Sequence, residues 1–188
     1  MRIGFDFDGV LCQTPFGRLA VHRPSPVPEL PDGYAALYER KCPSNPLRLA
    51  FEYLRFGWRA DAPDAAAILR ELAEAHELYI VTGRSCAGEP LLRRWLRAHK
   101  LDDRIAGIRM APPGLQPAQH KLATARSLGI DAHIDDDPRT AYHLAQHGVG
   151  RVYLLDHAGA HRDVPLPPHL TLVRSLREFA DALERTAA

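Results

Sequence analysis

Apolar residues along this chain fall into two patterns: short continuous runs, and longer stretches in which they recur at helical spacing. The run from Leu78 to Thr82 has the length of a strand and no alternation, which is typical of a strand buried on both faces of a parallel sheet. A helical stretch begins at Pro63 before this run, and another covers 89–100 after it, with Trp95 on the apolar face. Alternating strands and helices predict an α/β fold with a doubly wound, mainly parallel sheet.

The rest of the chain continues this alternation. The first ten residues read as a short buried strand, because Ile3, Phe5 and Phe7 are apolar and favour β structure. Further strands are predicted at 105–110, 131–135, 151–155 and 170–173, and further helices at 117–128, 139–147 and 176–184.

Residues 11–60 interrupt the pattern. Their first half carries Pro15, Pro24, Pro26, Pro28 and Pro31, a density that excludes a helix or a central strand. Further on, the pair 45–46 (Asn-Pro) is a typical helix start, and apolar residues then recur at helical spacing. We therefore predict a core formed by residues 1–10 and 61–188, with residues 11–60 as a small, mostly helical insertion that has proline-rich connections.

Charge and cysteine content restrict the classes of partner. A net charge of +1 provides no overall field that would favour a nucleic acid polymer or a membrane surface. No apolar run approaches the roughly 20 residues that span a bilayer, and Met1 is followed by a strand with two acids rather than by a signal segment. Three cysteines without C-x-x-C spacing argue against a disulfide framework and for a reducing compartment. We expect a cytoplasmic protein.

Three of the predicted strands end in chemically reactive sequence. Asp6 and Asp8 follow the first strand, residues 82–84 (Thr-Gly-Arg) follow the second, and residues 135–137 (three aspartates) follow a later one, while Lys121 lies early on the helix before the last of these. Ligands of open α/β sheets bind at the carboxyl ends of the strands. Buried carboxylates need hydrogen bonds, an ion pair or a metal. The sequence therefore predicts one shared ligand site at this edge of the sheet, with a cation at its carboxylates.

Each of these features also has a simpler interpretation. Asp6 and Asp8 could bond to backbone N–H groups of a turn, and residues 82–83 could be an ordinary turn after a strand. Lys121 could be an exposed helix residue, and the acidic run 135–137 could cap the following helix, which is compatible with metal binding. None of these interpretations explains why all four features fall at one edge of the sheet.

In this order the four motifs resemble those of the haloacid dehalogenase-like (HAD) phosphohydrolase superfamily, and most closely its phosphatase and nucleotidase branch. The matching segments are Asp6–Val10, Thr82–Arg84, Lys121 and Ile134–Pro138. The resemblance covers about residues 1–10 and 63–156, and it implies a Rossmann-like core. The insertion 11–60 falls where members of this superfamily insert a C1-type cap.

The resemblance implies a role for each aspartate. Asp6 would be the nucleophile that forms an aspartyl-phosphate, and Asp8 would be the general acid and base. Mg²⁺ would be bound by the Asp6 carboxylate, the backbone carbonyl of Asp8 and one acid of the pair Asp135 and Asp136. We favour Asp136 as that ligand, with Asp135 in support.

The remaining motif residues would bind the substrate. The resemblance implies that the Thr82 hydroxyl and the Lys121 ammonium hold the phosphoryl oxygens, so both belong to the catalytic set. Gly83 and Arg84 complete the predicted substrate site, because Arg84 directly follows the second motif and can reach a phosphate or a carboxylate. The aromatic residues of the cap either contact the leaving group, or form the core of the cap or a homodimer contact.

These roles predict a magnesium-dependent phosphomonoester hydrolase that acts on a small soluble phosphate ester, for example a nucleotide. Asp8 favours phosphoryl chemistry, because the dehalogenases of the superfamily lack this second aspartate. Two alternatives stay open. One is a phosphomutase or phosphotransferase of the same superfamily, and the other is a non-catalytic binding module that retains the fold.

Overall fold

The structure, a computed structural model, describes residues 1–13, 26–39, 46–57, 59–157 and 159–185. Part of the predicted proline-rich connection, with Pro15 and Pro24, lies outside the described residues, as does the predicted helix cap Asn45.

A single parallel sheet of six strands organises the described chain, in the order β3-β2-β1-β4-β5-β6. The strands are β1 (Arg2–Phe5), β2 (Glu77–Ser85), β3 (Ile105–Ala111), β4 (Ala132–Asp135), β5 (Arg151–Leu155) and β6 (Leu170–Val173). This order confirms the predicted doubly wound α/β fold. Successive strands are added on one side of β1 up to β3 and on its other side from β4 onwards, so the strand order has a switch point between β1 and β4. Sheets of this kind bind their ligands at such a switch point.

Seven α-helices are described, and the last five of them cover the two faces of the sheet. The seven are α1 (Ala35–Glu39), α2 (Pro46–Phe56), α3 (Ala65–Ala73), α4 (Glu89–Ala98), α5 (Pro117–Leu128), α6 (Pro138–Gln146) and α7 (Leu176–Arg185). Helix α5 has the predicted bounds, whereas α3 begins two residues later than Pro63 suggests. The reason is Asp64, whose left-handed φ of 58° ends the extended chain before the helix can begin.

Successive residues of β1 face opposite sides of the sheet, and each side has its own half of the core. Ile3 and Phe5 face the layer that contains α7, where the Phe179 ring packs edge-on at 5.6 Å from Phe5. Gly4 faces the opposite layer, and a Cβ at this position would lie only 2.5 Å from Nδ1 of His133. Glycine at position 4 therefore leaves room for a buried imidazole beneath the end of the strand.

The described part of the insertion, residues 26–39 and 46–57, is called the cap below, and it is anchored on the start of α5. The side-chain amide of Gln119 donates to the carbonyl oxygens of Pro28 and Glu29, at 3.1 and 2.7 Å. The next residue, His120, bonds through Nδ1 to the Tyr38 hydroxyl of α1 at 2.8 Å. Two consecutive helix residues thus bind the cap, while the division of the chain into core and cap stays a prediction.

His120 makes the stability of the fold sensitive to acid. Its imidazole is buried between Tyr38 and the carbonyl of Arg109, and this burial lowers the pKa of His120 to about 4. In the unfolded chain the imidazole takes up a proton below about pH 6.5. The unfolded state therefore binds more protons in this window, so stability is lost as pH falls from 6.5 towards 4.

We expect this one residue to remove about 2 kcal/mol of unfolding free energy between pH 7 and pH 5. Urea unfolding at both pH values measures the loss, and the variant His120→Asn should show a loss smaller by that amount. His157→Asn, at an exposed histidine, is the matched control and should behave like the wild type. Equal acid sensitivity of His120→Asn and the wild type would contradict the assignment.

In the described part of the chain, no helix is both long and apolar enough to cross a membrane. Cys12 is a buried free thiol, whereas Cys86 is disulfide-bonded. The expectation that the cysteines stay reduced is therefore wrong at Cys86.

Candidate active site

The predicted nucleophile Asp6 is the first residue after β1, and its backbone N–H continues the strand ladder by donating to the Ile134 carbonyl at 3.0 Å. Its carboxylate is buried, and Oδ2 lies 3.0 Å from Nζ of Lys121. Oδ1 is buried and has no hydrogen-bond partner among the described residues. Burial raises the pKa of Asp6 well above its usual value; Lys121 opposes this shift, and the neighbouring acids add to it.

Lys121 joins the ends of β1 and β4. Its ammonium also lies 2.7 Å from Oδ2 of Asp135, so one buried cation bridges two buried carboxylates. Burial opposes the charged form of each group, but the ion pairs prevail. Lys121 and His133 together hold the pKa of Asp135 below its usual value, and the two aspartates hold the pKa of Lys121 above its usual value.

An acidic cluster suited to a hard cation lies beside this bridge. Carboxylate oxygens of Asp6, Asp135 and Asp136 all lie within 4.8 Å of one another. The unsatisfied Oδ1 of Asp6 supplies a ligand atom, and Mg²⁺ prefers carboxylate oxygens. Gly9 leaves the room that the Asp136 carboxylate occupies. Its φ is +86°, and a Cβ there would lie 2.1 Å from Oδ2 of Asp136. These residues therefore fit Mg²⁺.

Hydrogen bonds distinguish the two candidate acids of β4. Oδ2 of Asp135 accepts from Lys121 and lies 3.2 Å from Nε2 of His133, while its Oδ1 accepts from the backbone N–H of Asp137 at 3.0 Å. Both oxygens of Asp135 are therefore already engaged within the protein. Asp135 thus orients Lys121, and the preference for Asp136 as the direct metal ligand stays a prediction.

Asp8 faces a different environment from Asp6. Arg84 donates to both of its oxygens, from Nε to Oδ2 at 2.6 Å and from Nη2 to Oδ1 at 2.7 Å. Arg59 donates to Oδ1 as well. The Asp8 carboxylate is thus held by two guanidinium groups.

The residues of the second motif, 82–84, make contacts within the protein that the sequence did not predict. The Thr82 hydroxyl is buried and accepts from the backbone N–H of Arg84 at 3.2 Å. Strand β2 runs on to Ser85, so the motif lies within its last part and not after a strand end at Thr82, and the pairing with β3 is irregular between Thr82 and Ser85. A Cβ at Gly83 would lie 2.8 Å from Cβ of Pro117, so glycine allows β2 to lie against the start of α5. Arg84 binds the carboxylate of Asp8, and its predicted contact with substrate stays a prediction. The predicted contacts of Thr82, Gly83 and Lys121 with substrate stay predictions.

Two residues that the sequence did not place in the site are Arg59 and His133. Arg59 lies 51 positions from Asp8, in the connection between α2 and α3, and no periodic pattern gives a signal of this contact. His133 has a weak signal, because it lies two residues before Asp135 on the same strand and therefore on the same face.

Comparison with known proteins rests on structure, since no family model and no curated protein sequence matches this chain significantly. A haloacid dehalogenase-like family hydrolase from Streptococcus pneumoniae superposes with a TM-score of 0.60 at 15% identity, over 97% of both chains. This chain has the haloacid dehalogenase-like fold. The predicted HAD-like, Rossmann-like core is therefore confirmed at the level of the fold.

HAD-like proteins with this fold differ in their chemistry. A 2-haloacid dehalogenase from Pseudomonas syringae superposes with a TM-score of 0.57 at 18% identity, over 98% of both chains. A protein from Lactobacillus plantarum, to which phosphoglycolate phosphatase activity has been ascribed, superposes with a TM-score of 0.56 at 15% identity, over 97% of both chains. The reaction of this protein must therefore be argued from its own side chains.

Proposed function

We propose that the protein is a magnesium-dependent hydrolase of small phosphate monoesters that works through an aspartyl-phosphate. The observation that carries the proposal is Asp6: one oxygen is held by Lys121, and the other is buried beside acidic groups with no partner among the described residues. A carboxylate held in this way can approach phosphorus in line, and phosphoryl transfer depends mainly on such positioning and on charge neutralisation.

In the first step, an oxygen of Asp6 forms a bond to phosphorus while the bond to the ester oxygen breaks. Asp8 gives its proton to the departing oxygen. In the second step, Asp8 takes a proton from a water whose oxygen attacks phosphorus, which releases inorganic phosphate and restores Asp6. Lys121 and the Thr82 hydroxyl hold phosphoryl oxygens during both steps.

Mg²⁺, when bound, would neutralise the negative charge that Asp6 and the phosphoryl group bring together. The residues that would hold it are Asp6, Asp136 and the backbone carbonyl of Asp8, with Asp135 in support. Lys121 contributes a second positive charge that belongs to the chain itself.

Arg59 and Arg84 determine for which of the two steps the Asp8 carboxylate is positioned. As an acceptor from Arg59 and Arg84, its carboxylate is positioned for the second step, in which it takes a proton. In the first step Asp8 must carry a proton, and a guanidinium group has to leave it. An anionic substrate offers that guanidinium another partner, so substrate binding and release of Asp8 favour each other.

A panel of phosphate monoesters, assayed with Mg²⁺ and with EDTA, tests the proposal. We expect phosphate release with Mg²⁺ and only background release with EDTA. The variant Asp8→Asn should lower kcat by about 100- to 10,000-fold, because proton transfer to and from the reacting oxygens is lost. Asp163→Asn, at an exposed position, is the matched control and should leave kcat unchanged.

Other outcomes of this panel would favour the alternatives. Transfer of the phosphoryl group to an added hydroxyl compound, without free phosphate, would favour a phosphomutase. No turnover of any ester would favour a binding module. Release of phosphate that neither EDTA nor Asp8→Asn reduces would contradict the mechanism.

The small phosphate ester is the partner on which this proposal depends. We also propose a homodimer contact through the cap, where α2 leaves Phe51 59% exposed. The cytoplasmic location stays a prediction.

A further inference from the structure

A cavity of about 180 Å³ lies between cap helix α2 and core helix α4. Its characteristic lining consists of three arginines and three aromatic residues: Arg59, Arg84, Arg94, Phe7, Tyr53 and Trp95. Arg84 and Arg59 also hold the carboxylate of Asp8, so the inner end of this cavity adjoins the proposed acid and base. A leaving group that receives its proton from Asp8 therefore extends into this cavity.

The charged side chains that line the cavity are all positive. Among the described residues that line it, the three arginines are accompanied by no aspartate or glutamate. Cys12, which also lines it, contributes no negative charge, because burial raises the pKa of its thiol to about 12. Asp8 lies against two of the arginines at the inner end, and Asp61 accepts from Nε1 of Trp95 at 2.5 Å behind the aromatic wall, so an anion site here depends on Arg94 at the mouth.

Arg94 provides charge at the mouth of the cavity. Its guanidinium donates to the Tyr53 hydroxyl and lies 5.7 Å from the centre of that ring, so its partner on the cap is neutral. In the described part of the chain, Arg94 forms no ion pair with a carboxylate. The preceding residue differs, because Arg93 pairs with Glu89 one turn earlier, at 2.7 Å.

The remaining walls of the cavity are apolar, and their rings pack against one another. The rings of Phe7 and Trp95 pack edge-to-face at 5.2 Å with an interplanar angle of 89°, and the guanidinium carbon of Arg84 lies 4.8 Å from the centre of the Phe7 ring. A short carbon skeleton can lie along these rings while a terminal anion meets the guanidinium groups. The cavity is smaller than the roughly 300 to 1,000 Å³ of sites for drug-sized ligands, which favours a short leaving group over a nucleoside.

We propose that the leaving group of the substrate carries a second acidic group, a carboxylate or a phosphate, on a short carbon skeleton, and that Arg94 and Arg59 bind this group. The inference rests on the proposed function, because it takes the departing oxygen to lie at Asp8. Guanidinium groups bind both kinds of oxyanion with paired hydrogen bonds, which explains the use of arginine at each of these positions.

Three-carbon phosphate monoesters that differ only at the far end test this inference. The far end is a carboxylate, a second phosphate or a hydroxyl, and kcat/KM is measured with Mg²⁺ for each. At least one acidic ester should exceed the hydroxyl ester by about 10- to 100-fold, which corresponds to a charged hydrogen bond. Whichever acidic ester is preferred identifies the oxyanion.

Two variants on the same helix assign the preference. Arg94→Gln should lower the ratio of acidic to neutral ester by about tenfold or more, whereas Arg93→Gln should keep the wild-type ratio. Equal use of the three esters by the wild type would overturn the inference and leave the phosphatase proposal standing. An equal fall of the ratio in both variants would also overturn it, because bulk charge would then be responsible.

A binding measurement tests the inference even if the protein does not hydrolyse phosphate esters. Calorimetric titration of the same three esters in EDTA requires no turnover. Tighter binding of an acidic ester that Arg94→Gln weakens and Arg93→Gln does not would support the cavity as an acid-binding site. Equal affinities for all three esters would overturn it.

Discussion

Replacing Asp6 by Asn is expected to reduce magnesium-dependent phosphate release by about 10,000-fold or more, to background. The carboxamide oxygen is a poor nucleophile, and it cannot supply the anionic ligand that a cation in the acidic cluster requires. The fold should survive, because the amide is nearly isosteric and its oxygen can still accept from Lys121. The change also removes one carboxylate from a cluster with Asp135 and Asp136, which offsets the weaker ion pair. We expect the free energy of unfolding to change by about 1 kcal/mol or less.

Two measurements separate these effects. A phosphate-release assay reports turnover, and urea unfolding reports stability. Asp103→Asn, an exposed aspartate changed in the same way, is the matched control and should affect neither. Substantial magnesium-dependent turnover in folded Asp6→Asn would show that another group attacks phosphorus.

Replacing Lys121 by Met should have the largest effect on stability. The ammonium is almost fully buried and bridges Asp6 and Asp135, so its removal leaves two buried carboxylates without their cation. Breaking such a buried ion pair typically costs about 3 to 5 kcal/mol. We expect a loss of this size in urea unfolding at pH 7, together with loss of phosphate release. Lys100→Met, at an exposed lysine, should change stability by less than about 0.5 kcal/mol.

The pH dependence of this variant provides an independent check. Without Lys121, burial raises the pKa of Asp6 and Asp135 above the values of the unfolded chain, so the folded state binds more protons. The deficit of Lys121→Met relative to the wild type should therefore narrow between pH 7 and pH 5. A deficit that is the same at both values would contradict the role of Lys121 as their shared cation.

The sequence predicts the framework of the site well, because the framework follows from local patterns. A continuous apolar run and two helical stretches are enough to indicate a parallel sheet, and a parallel sheet brings all its carboxyl ends to one edge. That reasoning brings Asp6, Lys121 and Asp135 together, as the structure also does. Their chemical roles rest on the resemblance and stay predictions.

Contacts between distant side chains were not predictable in the same way. The pair of Arg59 and Asp8 depends on the path of the insertion, and no periodic pattern encodes that path. The contact of Arg84 with Asp8 depends on the rotamers of a long side chain, so the motif indicated its neighbourhood and not its partner. The buried imidazole of His133 needs the space left by Gly4 on the neighbouring strand, which is a property of strand pairing.

The first turns of α5 combine two tasks in three consecutive residues. Gln119 and His120 bind the cap, and Lys121 binds the nucleophile. We therefore expect a change in how the cap docks to shift the position of the Lys121 ammonium. Replacing this cap by the cap of another protein is for that reason expected to fail in most cases. A replacement cap would have to supply the carbonyl groups and the phenol that Gln119 and His120 bind, because otherwise Lys121 would be displaced.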